Sequence, residues 1–310
     1  MLLLIELRQK LYRANYAFKH AKDARQKKDL VLLINDLREE IGFILLALGE
    51  YKKSLAMYQS LSWKTHGEKR YNGICWALIE MGYYCDAGKL IRKGLQRFPE
   101  SDRLLNVMGV LQGRLGHDYE ALQYYEKALC INPENCDTLC FKANILYRLN
   151  LYEEAASLYQ KCIEKTPYNA NYFIMLGHCH LETGYPEDAV GFYKSALDLY
   201  DVSGAYNGLY WAYENIGLTN DAIEIAEEGL RKFPNEDGRL YRNLASAYYS
   251  RGWINEAKDV IQEGMKKFPE DEGMKELLKE IDDDSDDPQK GTDLPKLLVV
   301  IIQKMKHCRQ

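Results

Sequence analysis

The sequence predicts an all-α solenoid, and two regular columns of residues support this prediction. Prolines recur 34 residues apart at Pro99, Pro133 and Pro167, each after a stretch with helical character. Pro234 and Pro269 continue the series with slips of one residue. The second column lies where the first helix of each repeat should end and turn back through a left-handed residue. It reads Gly49, Gly82, Gly116, Asn150, Gly184, Gly217 and Gly252. This period predicts stacked helical hairpins.

The N-terminal region precedes the first regular repeat. Residues 3–28 are rich in Lys and Arg and lack the repeat columns. They are expected to form one long helix. We interpret residues 1–34 as an N-terminal capping helix or a degenerate half-repeat, because stacked repeats need atypical ends to cover their apolar faces.

The central region, residues 35–271, divides into seven repeats. Counting from the prolines, the repeats start near residues 35, 68, 102, 136, 170, 203 and 238. Small residues recur at two further positions, which lets two antiparallel helices approach closely. Position eight is Gly42, Cys75, Gly109, Ala143, Gly177, Tyr210 and Ala245, with Tyr210 as the exception. Position twenty is Ser54, Ala87, Ala121, Ala155, Ala189, Ala222 and Ala257.

These columns resemble the tetratricopeptide repeat, a 34-residue helical hairpin. One repeat matches the family pattern with Ala155, Tyr159 and Pro167, and another matches it with Gly109, Ala121, Tyr125, Ala128 and Pro133. The departures are His66 and Asp201 in place of proline, Leu61 at a small position, and Tyr210. The resemblance implies a right-handed superhelical solenoid of helix-turn-helix repeats whose first helices line a concave groove.

The C-terminal region should close the solenoid. Residues 272–281 are expected to form a capping helix, which we extend to 272–284, followed by an acidic linker and an apolar tail over 285–310. The tail contains the continuous apolar run 297–302 between basic residues. Three interpretations stay open for it: a last helix or strand packed on the solenoid, an occupant of the protein's own groove, or a contact that drives oligomerisation.

Composition excludes several classes of function. The 310 residues carry a formal net charge of −5, whereas nucleic-acid-binding proteins usually carry a basic surplus. The short apolar start is neither a signal peptide nor a membrane span, and the eight cysteines, without a CxxC pair, are expected to be reduced thiols. We therefore expect a cytoplasmic protein.

The resemblance implies that positions two, five, nine and twelve of each repeat face the groove. Asparagines there offer a donor and an acceptor to a peptide backbone, aromatic side chains offer anchors, and basic side chains offer partners for carboxylates. The exposed or structural alternative, in which these residues only pack between repeats or face water, remains open. The candidate peptide-binding residues are Lys69, Asn72, Trp76, Arg103, Asn106, Asn144, Tyr147, His178, Asn207, Trp211, Arg239 and Arg242. Phe43, Asn171 and Tyr249 are inward by the same count.

Catalytic and metal-binding patterns are not found in the sequence. It contains no P-loop, GxGxxG, GxSxG or HExxH motif. His178, Cys179 and His180 point in different directions on a helix, so they are a poor metal cluster. The carboxylate clamp with which some members of the family hold chaperone tails is not reproduced. We expect neither enzyme activity nor a metal or cofactor.

These observations favour a protein-protein interaction scaffold or adaptor that binds a partner polypeptide segment in the groove. One alternative is a sensor or regulator that responds to a peptide. The other is a structural protein that self-assembles through its ends or tail into a homo-oligomer.

Overall fold

The computed structural model describes residues 2–64 and 66–285, and this part of the chain contains helices and no strand. The predicted all-α fold is confirmed. Contacts divide the chain into two compact units with the boundary between Asn150 and Leu151. The expectations for the acidic linker beyond residue 285 and for the apolar tail lie outside the described residues.

Unit 1 consists of eight helices within its described residues. They are α1 Leu2–His20, α2 Ala24–Ala47, α3 Tyr51–Gln59, α4 Gly67–Glu80, α5 Tyr84–Arg97, α6 Asp102–Arg114, α7 Asp118–Ile131 and α8 Cys136–Arg148. Each helix packs against the next, and α2, α4, α6 and α8 also contact one another in succession. The first helices of the hairpins therefore form one continuous layer in this unit.

Unit 2 also has eight helices in the part that the structure describes. They are α9 Tyr152–Lys165, α10 Ala170–Glu182, α11 Pro186–Leu199, α12 Ser203–Ile216, α13 Thr219–Lys232, α14 Gly238–Ser250, α15 Ile254–Lys267 and α16 Glu272–Ser285. Here α10, α12, α14 and α16 form the layer of first helices. From α4 onward, the first helices begin within one residue of the predicted repeat starts.

The column of turn residues behaves as predicted. All six of its glycines have φ between +73° and +85°, and Asn150 has a φ of +62°. An Asn is tolerated there because its short side chain adopts the left-handed conformation more readily than most residues. The turn between the two helices of each hairpin is thus fixed by backbone conformation.

Tyrosines of the second helices pack against the small residues of the first helices. The ring of Tyr193 is fully buried and lies over both Gly177 of its own hairpin and Gly208 of the next repeat. A Cβ atom built on Gly208 would lie 2.2 Å from Tyr193 Cε1, which is closer than the Cβ atom of a real side chain approaches another atom. Tyr58 is placed in the same way between Gly42 and Gly73. These contacts fix the register between successive repeats.

The exception at position eight has a packing explanation. Tyr210 is buried at 2% exposure, and the residue at position twenty-four of its repeat is Ala226, where other repeats carry Tyr or Ile. Both residues belong to the same apolar cluster. The large and the small side chain have exchanged places, which keeps the volume of this layer nearly constant.

The N-terminal region differs from the prediction. The expected single helix over 3–28 is wrong, because α1 ends at His20 and α2 starts at Ala24. The physical reason is a helix cap: the side chain of Asp23 accepts a hydrogen bond from the backbone N–H of Gln26 at 3.0 Å. The two helices pack against each other through a cluster that includes Leu7 and Ile41.

Helix α16 lies where the closing helix was expected. It ends at Ser285, one residue beyond the expected range of 272–284. Met274 and Ile281 are fully buried against α14 and α15. This helix covers the apolar end of the last hairpin.

Candidate functional site

The candidate site is the exposed side of the first helices, which we call the first-helix face of each unit. It is formed by α2, α4, α6 and α8 in unit 1 and by α10, α12, α14 and α16 in unit 2. The sequence-predicted residues lie on these helices. The structure places some of them in contact with solvent and uses others for contacts between repeats.

Asn106 of α6 combines burial with an unused hydrogen-bond acceptor. The residue is 6% exposed, and no donor of the described residues lies within hydrogen-bond distance of its Oδ1. Thr138 of α8 has a second buried oxygen of this kind. Burying an amide oxygen without a donor costs about 1–3 kcal/mol. Asn72, at the same repeat position on α4, is half-buried.

Asn207 of α12 is equally buried, but its amide is fully used by the protein. Its Nδ2 donates to Asp237 Oδ2 at 3.0 Å, and its Oδ1 accepts from Asn243 Nδ2 at 2.9 Å. Asp237 is the N-cap of α14. Although burial opposes it, hydrogen bonds and charge from Arg239 keep the pKa of Asp237 below its ordinary value. In unit 2 this Asn therefore ties two repeats together.

Four of the five predicted aromatic residues are less exposed than expected for free anchors. Trp76 is half-buried and its ring centroid lies 5.7 Å from that of Phe141. Trp211 is half-buried and meets Tyr210 edge-on at 5.2 Å. Tyr147 is also half-buried, Tyr249 is buried, and Phe43 is 69% exposed. Trp76 and Tyr147 keep part of their surface available to a ligand.

Most of the predicted basic residues are paired with the protein's own carboxylates. Lys69 Nζ lies 2.7 Å from Glu39 Oε2, Arg239 pairs with Asp237, and Arg242 Nε lies 3.5 Å from Asp271. Arg103 of α6 is exposed, and its guanidinium has no ion pair among the residues that the structure describes. Arg103 is thus the predicted cation best placed to meet an outside carboxylate.

Three predicted residues remain to be placed. Asn144 of α8 is exposed, and its Nδ2 lies 3.8 Å from Cys140 Sγ. His178 of α10 has its Nδ1 2.6 Å from Tyr193 Oη, so the imidazole supports the buried tyrosine. Asn171 is exposed on α10.

One polar cluster was missed by sequence reasoning. Ligand atoms of Asp36, Glu39 and His66 lie within 4.8 Å of one another. His66 Nε2 bonds Asp36 Oδ1 at 2.9 Å, and the ammonium of Lys69 holds Glu39. These bonds connect α2 to the start of α4. The sequence could have indicated this cluster, because the residues at positions two and five of one repeat face the N-cap residue of the next repeat, as Asn207 faces Asp237.

Two of the buried cysteines, Cys75 and Cys179, have thiols with a raised pKa. Burial raises the pKa of both Cys75 and Cys179 to about 12, so each thiol stays protonated near neutral pH. A protonated thiol is a poor nucleophile and a poor metal ligand. Both residues act as small apolar side chains in the helix interface.

Comparisons with known proteins agree with this architecture. Two family models, both described as tetratricopeptide repeat, match residues 102–135 and 142–203. A curated relative, anaphase-promoting complex subunit 7 of Arabidopsis thaliana, is 26% identical over 184 residues, which is 49% of this chain. The chain spans 33% of the length of that relative.

Solved structures show the same fold at low sequence identity. The Cut9–Hcn1 hetero-tetramer of the APC/C contains a chain that matches with a TM-score of 0.65 and 16% identity, over 88% of this chain and 59% of that one. PilF of Pseudomonas aeruginosa matches with a TM-score of 0.60 and 17% identity, over 71% of this chain and 100% of that one.

A search of the described helices for a membrane span found none with the required length and hydropathy. The repeat columns, the hairpin packing, the family models and the structural matches all lead to one assignment. Residues 102–135 and 142–203 match tetratricopeptide repeats, and the described helices form a solenoid of the same fold.

Proposed function

We propose that this protein is an interaction scaffold whose first-helix face in unit 1 binds a segment of a partner polypeptide. The observation that carries the proposal is the buried Oδ1 of Asn106, which has no donor among the described residues. The oxygen is covered in the unbound protein, so binding requires the Asn106 side chain to rotate toward the face, where a backbone N–H of a peptide supplies such a donor. Asn207, at the same repeat position in unit 2, differs from Asn106 because its Nδ2 already donates to Asp237 and its Oδ1 already accepts from Asn243.

The surroundings of Asn106 suit an extended polypeptide. Asn72 lies at the equivalent position of the preceding repeat and is half-buried, so a second amide contact is available along the same face. Arg103, one turn from Asn106, is exposed and can form a charge-assisted hydrogen bond with a carboxylate. Trp76 and Tyr147 offer partly exposed aromatic surface, the kind that often dominates interface energy.

The curated relative supports a role in assembly. It is named as a subunit of the anaphase-promoting complex. We propose that this chain likewise acts as an adaptor within a larger assembly. The proposal is for a cytoplasmic binding protein that uses no cofactor, metal or nucleic acid and has no enzyme activity.

The test is a titration with a partner segment. The full chain is used to capture partners, and the captured segment is then titrated by calorimetry against wild type and against the Asn72→Ala/Asn106→Ala variant. We expect the variant to bind at least about tenfold more weakly, as loss of two amide contacts implies. Tyr119→Ala, an exposed site on the second helix α7, is the matched control and should bind normally. Equal affinity of the double variant and wild type refutes the proposal.

A further inference from the structure

Helix α1 carries two apolar stripes, and only one of them is used by the fold. The inner stripe packs against α2 and includes Leu4, Leu7 and Ala14, all of which are buried. The second, outer stripe follows the same spacing of three and four residues on another side of the helix. Its apolar members are Leu2, Ile5, Tyr12 and Tyr16, and the polar Gln9 occupies the position between Ile5 and Tyr12.

The second stripe is exposed along its whole length. Leu2 is 85% exposed, Tyr12 74%, Tyr16 60% and Ile5 47%. Other exposed large apolar residues, such as Tyr83 and Tyr185, follow the turn between the two helices of a hairpin. Residues spaced alternately three and four apart form the line of contact between two helices in a coiled coil. The outer stripe therefore has the form of an unoccupied helix-docking seam.

The rim of the stripe is basic. Arg8 and Arg13 are exposed on either side of it, at the positions that flank the seam in a coiled coil, and line a shallow depression with Ile5 and Tyr12. The nearby acidic group, Glu6, is neutralised by Lys10 at 2.8 Å. The charge of the rim thus favours an occupant with carboxylates beside its own apolar stripe.

The same charges disfavour the occupants that this chain itself could supply. A second copy of α1 brings the same two arginines to the rim, so like charges oppose each other. The apolar run of the tail is flanked by Lys296 and Lys304, which are also cationic. The acidic helix α16 has its apolar residues Met274 and Ile281 buried in its own unit. These three segments are therefore poor occupants of the stripe.

We propose that the outer stripe of α1, defined by Leu2, Ile5, Gln9, Tyr12 and Tyr16, binds an amphipathic helix of another protein whose apolar stripe is flanked by Glu or Asp. A membrane surface is less suitable, because the stripe is narrow beyond Leu3, contains the polar Gln9 and ends in two tyrosine hydroxyls. Amphipathic helices that bind membranes present a broad apolar face. The site is separate from Asn72 and Asn106 and does not depend on the proposed function.

The test uses two designed helical peptides of about three heptads, with Leu at the seam positions and either Glu or Lys on the rim. Binding to the full chain is measured by fluorescence anisotropy. We expect the Glu peptide to bind in a salt-sensitive manner and the Lys peptide not to bind. Ile5→Ser/Tyr12→Ser should weaken binding at least about tenfold, with unchanged helicity by circular dichroism. Tyr119→Ser is the matched control, because Tyr119 is also 74% exposed.

Charge reversal gives the second arm. Arg8→Glu/Arg13→Glu should exchange the preference, so that the Lys peptide binds and the Glu peptide does not. The proposal is overturned if neither peptide binds wild type, or if the stripe variant binds the Glu peptide normally. It is equally overturned if the stripe drives self-association in sedimentation, or if it binds phosphatidylserine vesicles in place of the peptide. The Asn72→Ala/Asn106→Ala variant should bind the Glu peptide as wild type does.

Discussion

The contact between Gly208 and Tyr193 gives a sharp prediction for the packing of unit 2. In Gly208→Ala, the new methyl group would lie 2.2 Å from Cε1 and 2.4 Å from Cζ of the Tyr193 ring. The ring is fully buried, and its hydroxyl lies 2.6 Å from His178 Nδ1, so it cannot move aside freely. Overpacking of this kind lowers the free energy of unfolding by about 1–3 kcal/mol.

The matched control is Gly191→Ala on α11. Nothing lies within 4 Å of a Cβ atom built there, so only the helix propensity changes. Replacing a helical Gly with Ala stabilises by about 0.5–1 kcal/mol. We therefore expect the two Ala variants to move the unfolding free energy in opposite directions, measured by urea denaturation followed by circular dichroism.

A double-mutant cycle assigns the effect to the tyrosine. Tyr193→Ala alone should lower the unfolding free energy by about 3–5 kcal/mol. On that background, Gly208→Ala should be neutral or stabilising, because the clash is gone. If Gly208→Ala stabilises the wild-type protein as Gly191→Ala does, the proposed register contact is refuted.

Three further predictions concern buried polar groups and thiols. Asn106→Leu should raise the free energy of unfolding by about 1 kcal/mol, because it removes an acceptor without a donor, whereas Asn207→Leu should lower it by about 2 kcal/mol by orphaning two partners. Equal effects of the two in urea denaturation would contradict this. Cys85, which is exposed, should react with a maleimide within minutes in the folded protein, whereas Cys75 should react only on unfolding, as mass spectrometry would show. Burial raises the pKa of Glu214 in the folded protein above its ordinary value of 4.5. The free energy of unfolding of wild type therefore falls as pH rises from 4.5 through the raised pKa of the folded state. Glu214→Gln should therefore gain stability over wild type as pH rises in thermal melts; a constant difference between pH 4 and 7 would refute the assignment.

The repeat architecture could be predicted because it depends on local conformation and small volumes. The left-handed turn at Gly252 and the fully buried Ala257 each follow from one residue type at a fixed position. The exchange of Tyr210 and Ala226 was also readable, since both positions belong to the same repeat. The helix break at Asp23 was missed because no Pro or Gly marks it and a single cap decides it.

The state of the candidate site could be predicted only in part. Sequence placed Asn106 and Asn207 at one repeat position and gave both the same role. Their difference arises from the next repeat, where Asn243 meets Asn207 and Phe141 stands at the position equivalent to Asn243. Such contacts join residues more than 30 positions apart, so they require the packing of the helices to be known.

Site-specific crosslinking tests most directly whether a partner polypeptide lies on the first-helix face of unit 1. A photoreactive benzoylphenylalanine replaces Arg103 on that face or Tyr119 on α7, both of which are exposed. After irradiation with the captured partner, we expect a covalent adduct from position 103 and none from position 119. Adducts from position 119 with none from position 103 would contradict binding on this face.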